Sequence, residues 1–234
     1  MAWALPDDCV LGIFGKRPDP GMVKTRLAGR FGPARAAEIH AAMLFDIIQT
    51  WSDPAILAPG GRRVLVYAPA DAGPWFDPRV PTCYALQPQV EGDLGERLRS
   101  FFVEEFDHGA GRVVVIGSDS PTLDPTIVIS AFLCLEGRDV VLGPAADGGY
   151  YLVGARGGVP PIFEGISWGG PQVLIQTIDR LRDTRWSLAL LPPWYDVDTP
   201  EAWTMLGGHL QALHRAGLDP GLPRVEAMFR DIEG

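Results

Sequence analysis

Short apolar runs alternate with segments of helical periodicity along nearly the whole chain. The runs lie at residues 10–14, 63–68, 82–86, 112–117, 140–143, 150–154 and 187–191. Several are almost continuous Val, Ile and Leu, which is typical of strands covered on both faces in a parallel or mixed sheet. The pattern therefore predicts an α/β fold, with one doubly wound, mostly parallel, Rossmann-like sheet and right-handed crossovers.

Helix-start signals fall between most of these runs. They occur at Gly32-Pro33, Asp124-Pro125, Pro171 and Thr199-Pro200, and a further helix is marked by the apolar residues Leu94, Leu98, Phe101 and Phe102. Segments 53–62 and 157–161 are rich in proline and glycine and are predicted to be surface loops, and the tail after Gly217 shows little periodicity beyond 225–229. No repeat or linker divides the chain, so residues 1–234 are predicted to form one domain.

The composition argues against several classes of function. The 234 residues carry a formal net charge of −9, whereas a nucleic-acid-binding surface normally needs a basic face. There is no apolar run long enough for a transmembrane helix, and the first residues do not resemble a signal peptide. Three widely spaced cysteines suit reduced thiols. We therefore expect a cytoplasmic protein that binds neither nucleic acid nor membrane, and we leave open whether it forms a homo-oligomer.

A basic segment follows the first predicted strand. Residues 14–27 contain Lys16, Arg17, Lys24 and Arg26, four of the twenty basic side chains. Backbone N–H groups and cations in a loop that leaves a buried strand form a plausible phosphate site. A solvated surface loop would explain the same charges, and position and charge alone do not separate the two interpretations.

Acidic residues follow two other apolar runs. Asp119 comes directly after run 112–117, at the sheet edge where open α/β sheets bind ligands. A carboxylate there could bind Mg2+ together with phosphate oxygens, although Asp119 could also simply cap the turn at Ser120-Pro121. Asp196 and Asp198 precede the last predicted helix and point to the same side of an extended chain. Asp198 is the better metal-ligand candidate, and Asp196 would contact the metal ligands without binding the metal itself.

Two glycine-rich segments complete the candidate site. The glycines of Asp147-Gly148-Gly149 permit positive φ angles and a close approach of the backbone to a ligand, but the same residues suit a hairpin turn. Trp168 stands before Gly169-Gly170, where it could pack in the interior or stack on a substrate ring. The four histidines show no metal-ligand spacing.

These motifs occur together in a known order. Segments 14–18, 20–27, 116–121, 143–152 and 196–200 resemble the bacterial glycosyltransferase-like proteins of the GT-A, nucleotide-diphospho-sugar transferase superfamily. Relatives of that family include the guanylyltransferase that activates phospholactate or phosphoenolpyruvate. The resemblance covers about residues 10 to 205, so it concerns nearly the whole chain.

The resemblance implies roles for individual residues. Residues 9–120 would form the nucleotide-binding half and residues 121–205 the acceptor-binding half, followed by a helical tail. Nucleotide contacts would come from Phe14, Gly15, Lys16, Gly21, Lys24 and Arg26. Lys24, Arg26 and Asp119 would be catalytic, and Asp119 and Asp198 would hold Mg2+ or Mn2+. The acceptor would contact Asp147, Gly148, Gly149, Tyr150 and Trp168. Asp196 would contact the metal ligands without binding the metal itself.

The resemblance also has departures. Ser120 stands where the family often has Cys, and Gly169-Gly170 follows Trp168 where the family motif continues towards a threonine. The acceptor pocket could therefore differ. We expect a Mg2+-dependent transferase that uses a nucleotide or nucleotide-sugar and a small-molecule acceptor, with nucleotidyl and glycosyl transfer both open. The alternative is a catalytically silent nucleotide-binding or scaffold protein on the same fold.

Overall fold

A seven-stranded sheet forms the centre of the fold in a computed structural model that describes residues 8–54 and 61–233. Its strands are β1 (Cys9–Lys16), β2 (Arg62–Ala68), β3 (Tyr84–Pro88), β4 (Arg112–Ile116), β5 (Val140–Pro144), β6 (Tyr150–Arg156) and β7 (Leu188–Leu190). Each corresponds to one predicted strand. The start of β3 is displaced from residue 82 to Tyr84 because Tyr84 N closes a turn onto the carbonyl of Pro81, at 3.0 Å.

The strand order confirms the predicted doubly wound, mostly parallel sheet. The order is β3-β2-β1-β4-β6-β5-β7, and β6 is the strand that runs antiparallel to its neighbours. The chain passes from β1 to β2 on one side and later to β4 on the other side. The carboxyl ends of β1 and β4 therefore flank a topological switch point, which is where this class of sheet binds ligands.

Helices connect the strands and cover both faces of the sheet. They are α1 (Thr25–Phe31), α2 (Pro33–Ser52), α3 (Gly73–Phe76), α4 (Leu94–Asp107), α5 (Pro125–Cys134), α6 (Val173–Leu181), α7 (Pro200–Arg215) and α8 (Pro223–Glu233), with a short 3-10 helix at Ala70–Ala72. The five predicted helices are confirmed, although α6 begins after Pro171 because residues 170–173 form a turn. Within the two described ranges, no helix has the length and apolar character needed to cross a bilayer.

The structure adds helices that were not predicted, and it tests the predicted surface loops only in part. Helices α1, α3 and α8 were not predicted. Helix α8 lies in the tail after Gly217, where little periodicity was noted. Segment 157–161 contains no helix or strand, in agreement with the predicted loop. Residues 55–60 of the other predicted loop lie outside the described residues, and Arg62 already belongs to β2.

Side chains of β1 alternate between the two covered faces of the sheet. Leu11 and Ile13 pack in one cluster with side chains of α2 and α5. Val10 packs in a second cluster with Phe101 and other side chains of α4. A Cβ atom at Gly12 would lie only 2.6 Å from the Phe101 ring. Glycine at this position therefore lets α4 approach the strand that leads into the basic loop.

The C-terminal helix is fixed to the body of the protein by a buried carboxylate. Asp46 of α2 accepts hydrogen bonds from the backbone N–H groups of Arg224 (3.0 Å) and Val225 (2.9 Å), and its Oδ1 lies 3.1 Å from the Arg224 guanidinium. A carboxylate at a helix start satisfies free N–H groups and interacts favourably with the helix dipole. Asp46 therefore anchors α8 to α2, next to a third apolar cluster that joins α1, α2, α7 and α8.

This anchor yields a stability prediction. Asp46→Ala is expected to lower the free energy of unfolding by about 2 kcal/mol, because it leaves buried N–H groups at the start of α8 without acceptors. Arg224→Ala should cost only about 0.5 kcal/mol, since its half-exposed guanidinium adds a partly screened ion pair. Urea denaturation of the two variants measures both values. Equal losses in the two variants would contradict the role assigned to the backbone bonds.

Candidate functional site

A cavity of about 640 Å³ opens at the carboxyl ends of β1 and β4. Its wall includes the end of β1 and the basic loop, the start of α1, part of α4, the residues after β4, the start of β6 and the segment before α7. Two other cavities, of about 450 and 620 Å³, contain none of the predicted site residues in their linings. The cavity at the switch point is therefore the candidate functional site.

Three predicted residues meet at the centre of this cavity. Lys24 Nζ lies 2.5 Å from Asp119 Oδ1 and 2.7 Å from Asp198 Oδ1. The Lys24 side chain is 3% exposed, whereas the Asp119 and Asp198 side chains are 39% and 38% exposed. The two carboxylates therefore face both the buried ammonium group and the open cavity. Residues separated by most of the chain come together here because β4 and the segment before α7 end at the same sheet edge.

The backbone at Lys24 has an uncommon conformation. Its φ of 47° and ψ of 44° lie in the left-handed region, directly before the first residue of α1. Non-glycine residues seldom adopt this conformation, and it often occurs at functional sites that hold a side chain in a required position. Here it directs the basic loop into α1 and brings the Lys24 side chain beneath the two carboxylates.

The charges at the centre stabilise one another. Burial alone would lower the pKa of Lys24, but the carboxylates of Asp119 and Asp198 outweigh burial and raise it above the ordinary lysine value. Burial would likewise raise the pKa of Asp119, yet the positive charge of Lys24 lowers it below the ordinary value. Lys24 and Asp119 are therefore both ionised at neutral pH.

Asp196 connects the two acidic segments. Its Oδ1 accepts a short hydrogen bond from the hydroxyl of Ser120, the residue after Asp119. Beside it, the Val197 N–H donates to the Asp119 carbonyl at 2.7 Å. Burial raises the pKa of Asp196 to about 6, although the Ser120 hydrogen bond opposes the rise and the neighbouring carboxylates add to it. Asp196 also lines the cavity, so it lies beside Asp119, and its functional role stays a prediction.

Cations of the basic loop line the same cavity. Lys16 at the end of β1 and Arg26 in α1 are exposed residues of the wall, together with Lys24. Arg17 is not in the lining, because its Nε lies 2.8 Å from Asp19 Oδ2 and its Nη1 lies 3.7 Å from Asp71. Three of the four cations of the loop thus face the cavity.

A further cation comes from α4. Arg97 lines the cavity, and its guanidinium donates to Gln89 Oε1 at 3.1 Å and to the Gly92 carbonyl at 3.0 Å. Its role as a wall residue was not predicted from the sequence. The spacing of α4 identifies Leu98 and Phe101 as interior residues but gives no sign that Arg97 reaches the site.

His40 was also missed. It is buried on α2 and lines the cavity, with Nε2 3.1 Å from the Lys16 carbonyl oxygen. Burial lowers its pKa, so the ring is neutral at pH 7, and Nε2 must carry the proton because a carbonyl can only accept. His40 therefore fixes the end of β1 next to the basic loop. The sequence offered no signal beyond its place on the apolar side of a predicted helix.

The other predicted nucleotide-binding residues differ in position. Phe14 and Gly15 line the cavity, whereas Gly21 is not in the lining. Gly21 has a φ of 81° and lies in the turn closed by the hydrogen bond from Met22 N to Asp19 O, at 3.0 Å. Its conformation therefore shapes the loop from which Lys24 extends.

The predicted acceptor residues are only partly brought together. Tyr150 lines the cavity, whereas Asp147, Gly148, Gly149 and Trp168 are not in its lining. Asp147 Oδ1 accepts from Gly149 N at 2.9 Å in the turn between antiparallel β5 and β6, which is the hairpin alternative raised by the sequence. Gly148 has a φ of 93°, and a Cβ there would lie 2.2 Å from the Pro171 carbonyl. Turn geometry therefore accounts for this glycine, and its acceptor role stays a prediction.

Trp168 packs behind the cavity wall. Its ring meets Tyr150 edge-on, with centroids 6.1 Å apart at an interplanar angle of 84°. In the described part of the chain, the buried Trp168 Nε1 has no hydrogen-bond partner. Of the two interpretations of Trp168, packing in the interior describes the observed contact. Trp168 packs against Tyr150, the predicted acceptor residue that lines the cavity.

Comparisons with known proteins agree with this fold. The family model described as "Uncharacterized protein conserved in bacteria (DUF2064)" matches residues 53–170. The chain belongs to this family. A protein from Desulfovibrio desulfuricans G20, described as a candidate nucleotide-diphospho-sugar transferase, has a crystal structure with 31% identity and a TM-score of 0.83, covering 96% of this chain and 97% of that chain. The resemblance to the nucleotide-diphospho-sugar transferase superfamily is confirmed.

More distant structures share the fold. The inositol-1-phosphate CTP transferase from T. maritima is 14% identical with a TM-score of 0.53, covering 94% of this chain and 100% of that chain. The 4-diphosphocytidyl-2C-methyl-D-erythritol synthase from Anaerococcus prevotii DSM 20548 is 11% identical with a TM-score of 0.55, covering 88% and 98%. At these identities the similarity concerns the fold alone. No curated protein sequence matches the chain significantly.

The acidic pair suits a divalent cation in this DUF2064 protein. Oxygens of Asp119 and Asp198 converge on one cationic atom, Lys24 Nζ, which marks a position where positive charge is stabilised. Within residues 8–54 and 61–233, no group of three or more His, Cys, Asp or Glu side chains could hold a metal ion. An ion at the pair would thus need further oxygens from phosphate and water, and such a mixed ligand set is the one Mg2+ prefers.

Proposed function

We propose that this protein is a divalent-metal-dependent nucleotidyltransferase. It would bind a nucleoside triphosphate at the carboxyl ends of β1 and β4 and transfer the nucleotidyl group to a phosphorylated small molecule. The observation that carries the proposal is the convergence of Asp119 and Asp198 on one cationic position inside a cavity lined by Lys16, Arg26 and Arg97. An acidic pair and a basic wall are the two parts that a metal–triphosphate complex requires.

The distribution of charge favours a triphosphate over a nucleotide-sugar. A triphosphate carries more negative charge than the diphosphate of a nucleotide-sugar, and its charge grows on the leaving pyrophosphate during transfer. Lys16 and Arg26 line one part of the wall and Arg97 another, in a chain whose net charge is −9. Preorganised cations of this kind stabilise developing phosphate charge without any covalent nucleophile.

The proposed reaction uses these groups as follows. A phosphate oxygen of the acceptor attacks the α-phosphorus of the nucleotide, forming a new P–O bond, while the bond to the β-phosphate oxygen breaks and pyrophosphate leaves. Lys16, Arg26 and Arg97 would hold the departing phosphates, and Asp119 and Asp198 would hold Mg2+ or Mn2+. When bound there, a metal ion would neutralise negative charge on the phosphates. Tyr150 would contact the acceptor from the β6 side of the cavity.

A second candidate is glycosyl transfer from a nucleotide-sugar. The description of the Desulfovibrio desulfuricans protein favours it, whereas the names of the T. maritima and Anaerococcus prevotii proteins describe cytidylyl transfer. In that reaction the same acidic pair and wall would stabilise a departing nucleoside diphosphate. The presence of both aspartates argues against the silent, scaffold alternative, which has no need of a metal site.

One experiment separates the two reactions. The protein is incubated with Mg2+, each of the four nucleoside triphosphates and a panel of phosphorylated sugars, polyols and hydroxy acids, and pyrophosphate is measured. We expect release with one nucleotide–acceptor pair and none when Mg2+ is replaced by EDTA. A parallel series uses nucleotide-sugars as donors. Turnover of a nucleotide-sugar without pyrophosphate release from any triphosphate pair would replace nucleotidyl transfer by glycosyl transfer.

A further inference from the structure

A buried ammonium group contacts both carboxylates that would bind a metal ion under the proposed function. Lys24 Nζ lies 2.5 Å from Asp119 Oδ1 and 2.7 Å from Asp198 Oδ1, while Mg2+ binds oxygen at about 2.0–2.1 Å. A metal ion that binds these two oxygens from the side of the ammonium group would overlap its nitrogen, and an ion that approaches from the cavity would compete with it for the same negative charge. Lys24 and a metal ion are therefore competing cations at the acidic pair.

We propose that Lys24 is an exchangeable counterion, which holds Asp119 and Asp198 together before substrate binds and moves to the nucleotide phosphates when the metal ion enters. The inference rests on the proposed function and names the residue that would couple metal binding to phosphate binding. In the substrate-free protein the acidic pair is already neutralised in part, so a metal ion alone gains little. With a phosphate present, the ammonium group gains an alternative anionic partner and the carboxylates become available.

The position of Lys24 suits such an exchange. It precedes α1, where its side chain contacts both the acidic pair and a cavity that Lys16 and Arg26 also line. The lysine stem is flexible and its ammonium group is a compact charge with three rotatable donors, so it can turn from one anion to another. An arginine guanidinium is planar and rigid, so it would suit this exchange between anions less well than lysine does.

Charge balance gives the exchange its direction. A partly buried carboxylate pair without a cation would repel itself and lose hydration, which is costly. The ammonium group in the substrate-free protein and the metal ion in the complex each prevent this. Because coupling between two ligands is reciprocal, a phosphate that attracts Lys24 raises metal affinity, and a metal ion that displaces Lys24 raises phosphate affinity.

The test measures binding of Mn2+ alone, without nucleotide, by the electron paramagnetic resonance signal of free Mn2+. The full chain is compared with Lys24→Met and with Arg17→Met. Lys24→Met is expected to bind Mn2+ at least about tenfold more tightly than the unaltered protein, because the competing cation is gone. Arg17→Met removes one positive charge from the same loop, but Arg17 is paired with Asp19 and is not in the cavity lining, so its affinity should change less than about threefold.

Thermal melting provides a second readout, which remains informative if Lys24→Met is less stable than the unaltered protein. Lys24→Met leaves the acidic pair without a partner and should melt at a lower temperature in EDTA. Mn2+ is expected to raise its melting temperature by more than it raises that of the unaltered protein or Arg17→Met. Adding Asp119→Asn to Lys24→Met should abolish both the tighter binding and the rescue.

Two results would overturn the inference in distinguishable ways. Equal Mn2+ affinity in the unaltered protein and Lys24→Met, with both lost on Asp119→Asn, would leave the metal site intact but refute the exchange. Absence of Mn2+ binding to Lys24→Met without nucleotide would refute the exchange, and its absence also in the presence of a non-hydrolysable triphosphate would refute the metal-binding part of the proposed function.

Discussion

Asp119→Asn is expected to lower the rate of pyrophosphate release by about a thousandfold. The substitution keeps the shape of the side chain but removes a negative charge from the acidic pair, so the metal ion loses a carboxylate ligand at the point where phosphate charge develops. Initial rates with the active nucleotide–acceptor pair measure the effect. Mn2+-dependent nucleotide binding, followed by calorimetry, should be lost in the same variant.

The control for this prediction is Asp107→Asn. Asp107 is the exposed last residue of α4 and is not in the cavity lining, so the same chemical change there should leave the rate within about twofold. The hypothesis requires a difference between the two variants. Metal-dependent nucleotide binding that survives Asp119→Asn would remove this residue from the metal site.

The double variant Lys16→Ala with Arg26→Ala should weaken triphosphate binding by about a hundredfold. Each cation is expected to make one charge-assisted contact worth about 1.5 kcal/mol, and about 1.4 kcal/mol corresponds to a factor of ten in affinity. Both side chains are exposed, so the protein should retain its melting temperature. Calorimetric titration with non-hydrolysable triphosphates in the presence of Mg2+ gives the affinities.

Arg17→Ala is the matched control in the same loop. Arg17 is paired with Asp19 and is not in the cavity lining, so its loss should change affinity less than threefold by the same reasoning. An equal loss in Arg17→Ala would mean that the loop acts through its overall charge. Unchanged affinity in the double variant would make the loop an ordinary solvated surface.

The fold and the acidic pair could be predicted from the sequence because their signals are local. Buried parallel strands appear as continuous apolar runs, and a carboxylate directly after such a run is placed at the ligand-binding edge by topology alone. That reasoning located Asp119, and the helix-start signal at Thr199 likewise located Asp198. The contact of both with Lys24 could not be foreseen, because it depends on the left-handed backbone conformation of Lys24 itself, directly before α1.

Other parts of the site depend on tertiary packing. Arg97 and His40 lie inside helices whose spacing reports only which side is buried, so their approach to the cavity leaves no pattern in the sequence. Helix α8 could have been predicted, because Val225, Met228, Phe229 and Ile232 recur at helical spacing and pack in one apolar cluster. Its attachment to α2 through Asp46, 178 positions away, leaves no pattern in the sequence. The glycines after Asp147 had two interpretations. The structure shows the hairpin turn, and the close packing of Gly148 against Pro171 could not be read from the sequence.

Anomalous diffraction from crystals grown with Mn2+ and a non-hydrolysable triphosphate tests the central hypothesis most directly. We predict a manganese peak bonded to both Asp119 and Asp198, triphosphate oxygens completing its ligands, and Lys24 Nζ turned from the carboxylates to the phosphates. A nucleotide bound outside the cavity at β1 and β4, with Lys24 still between the two aspartates, would contradict it.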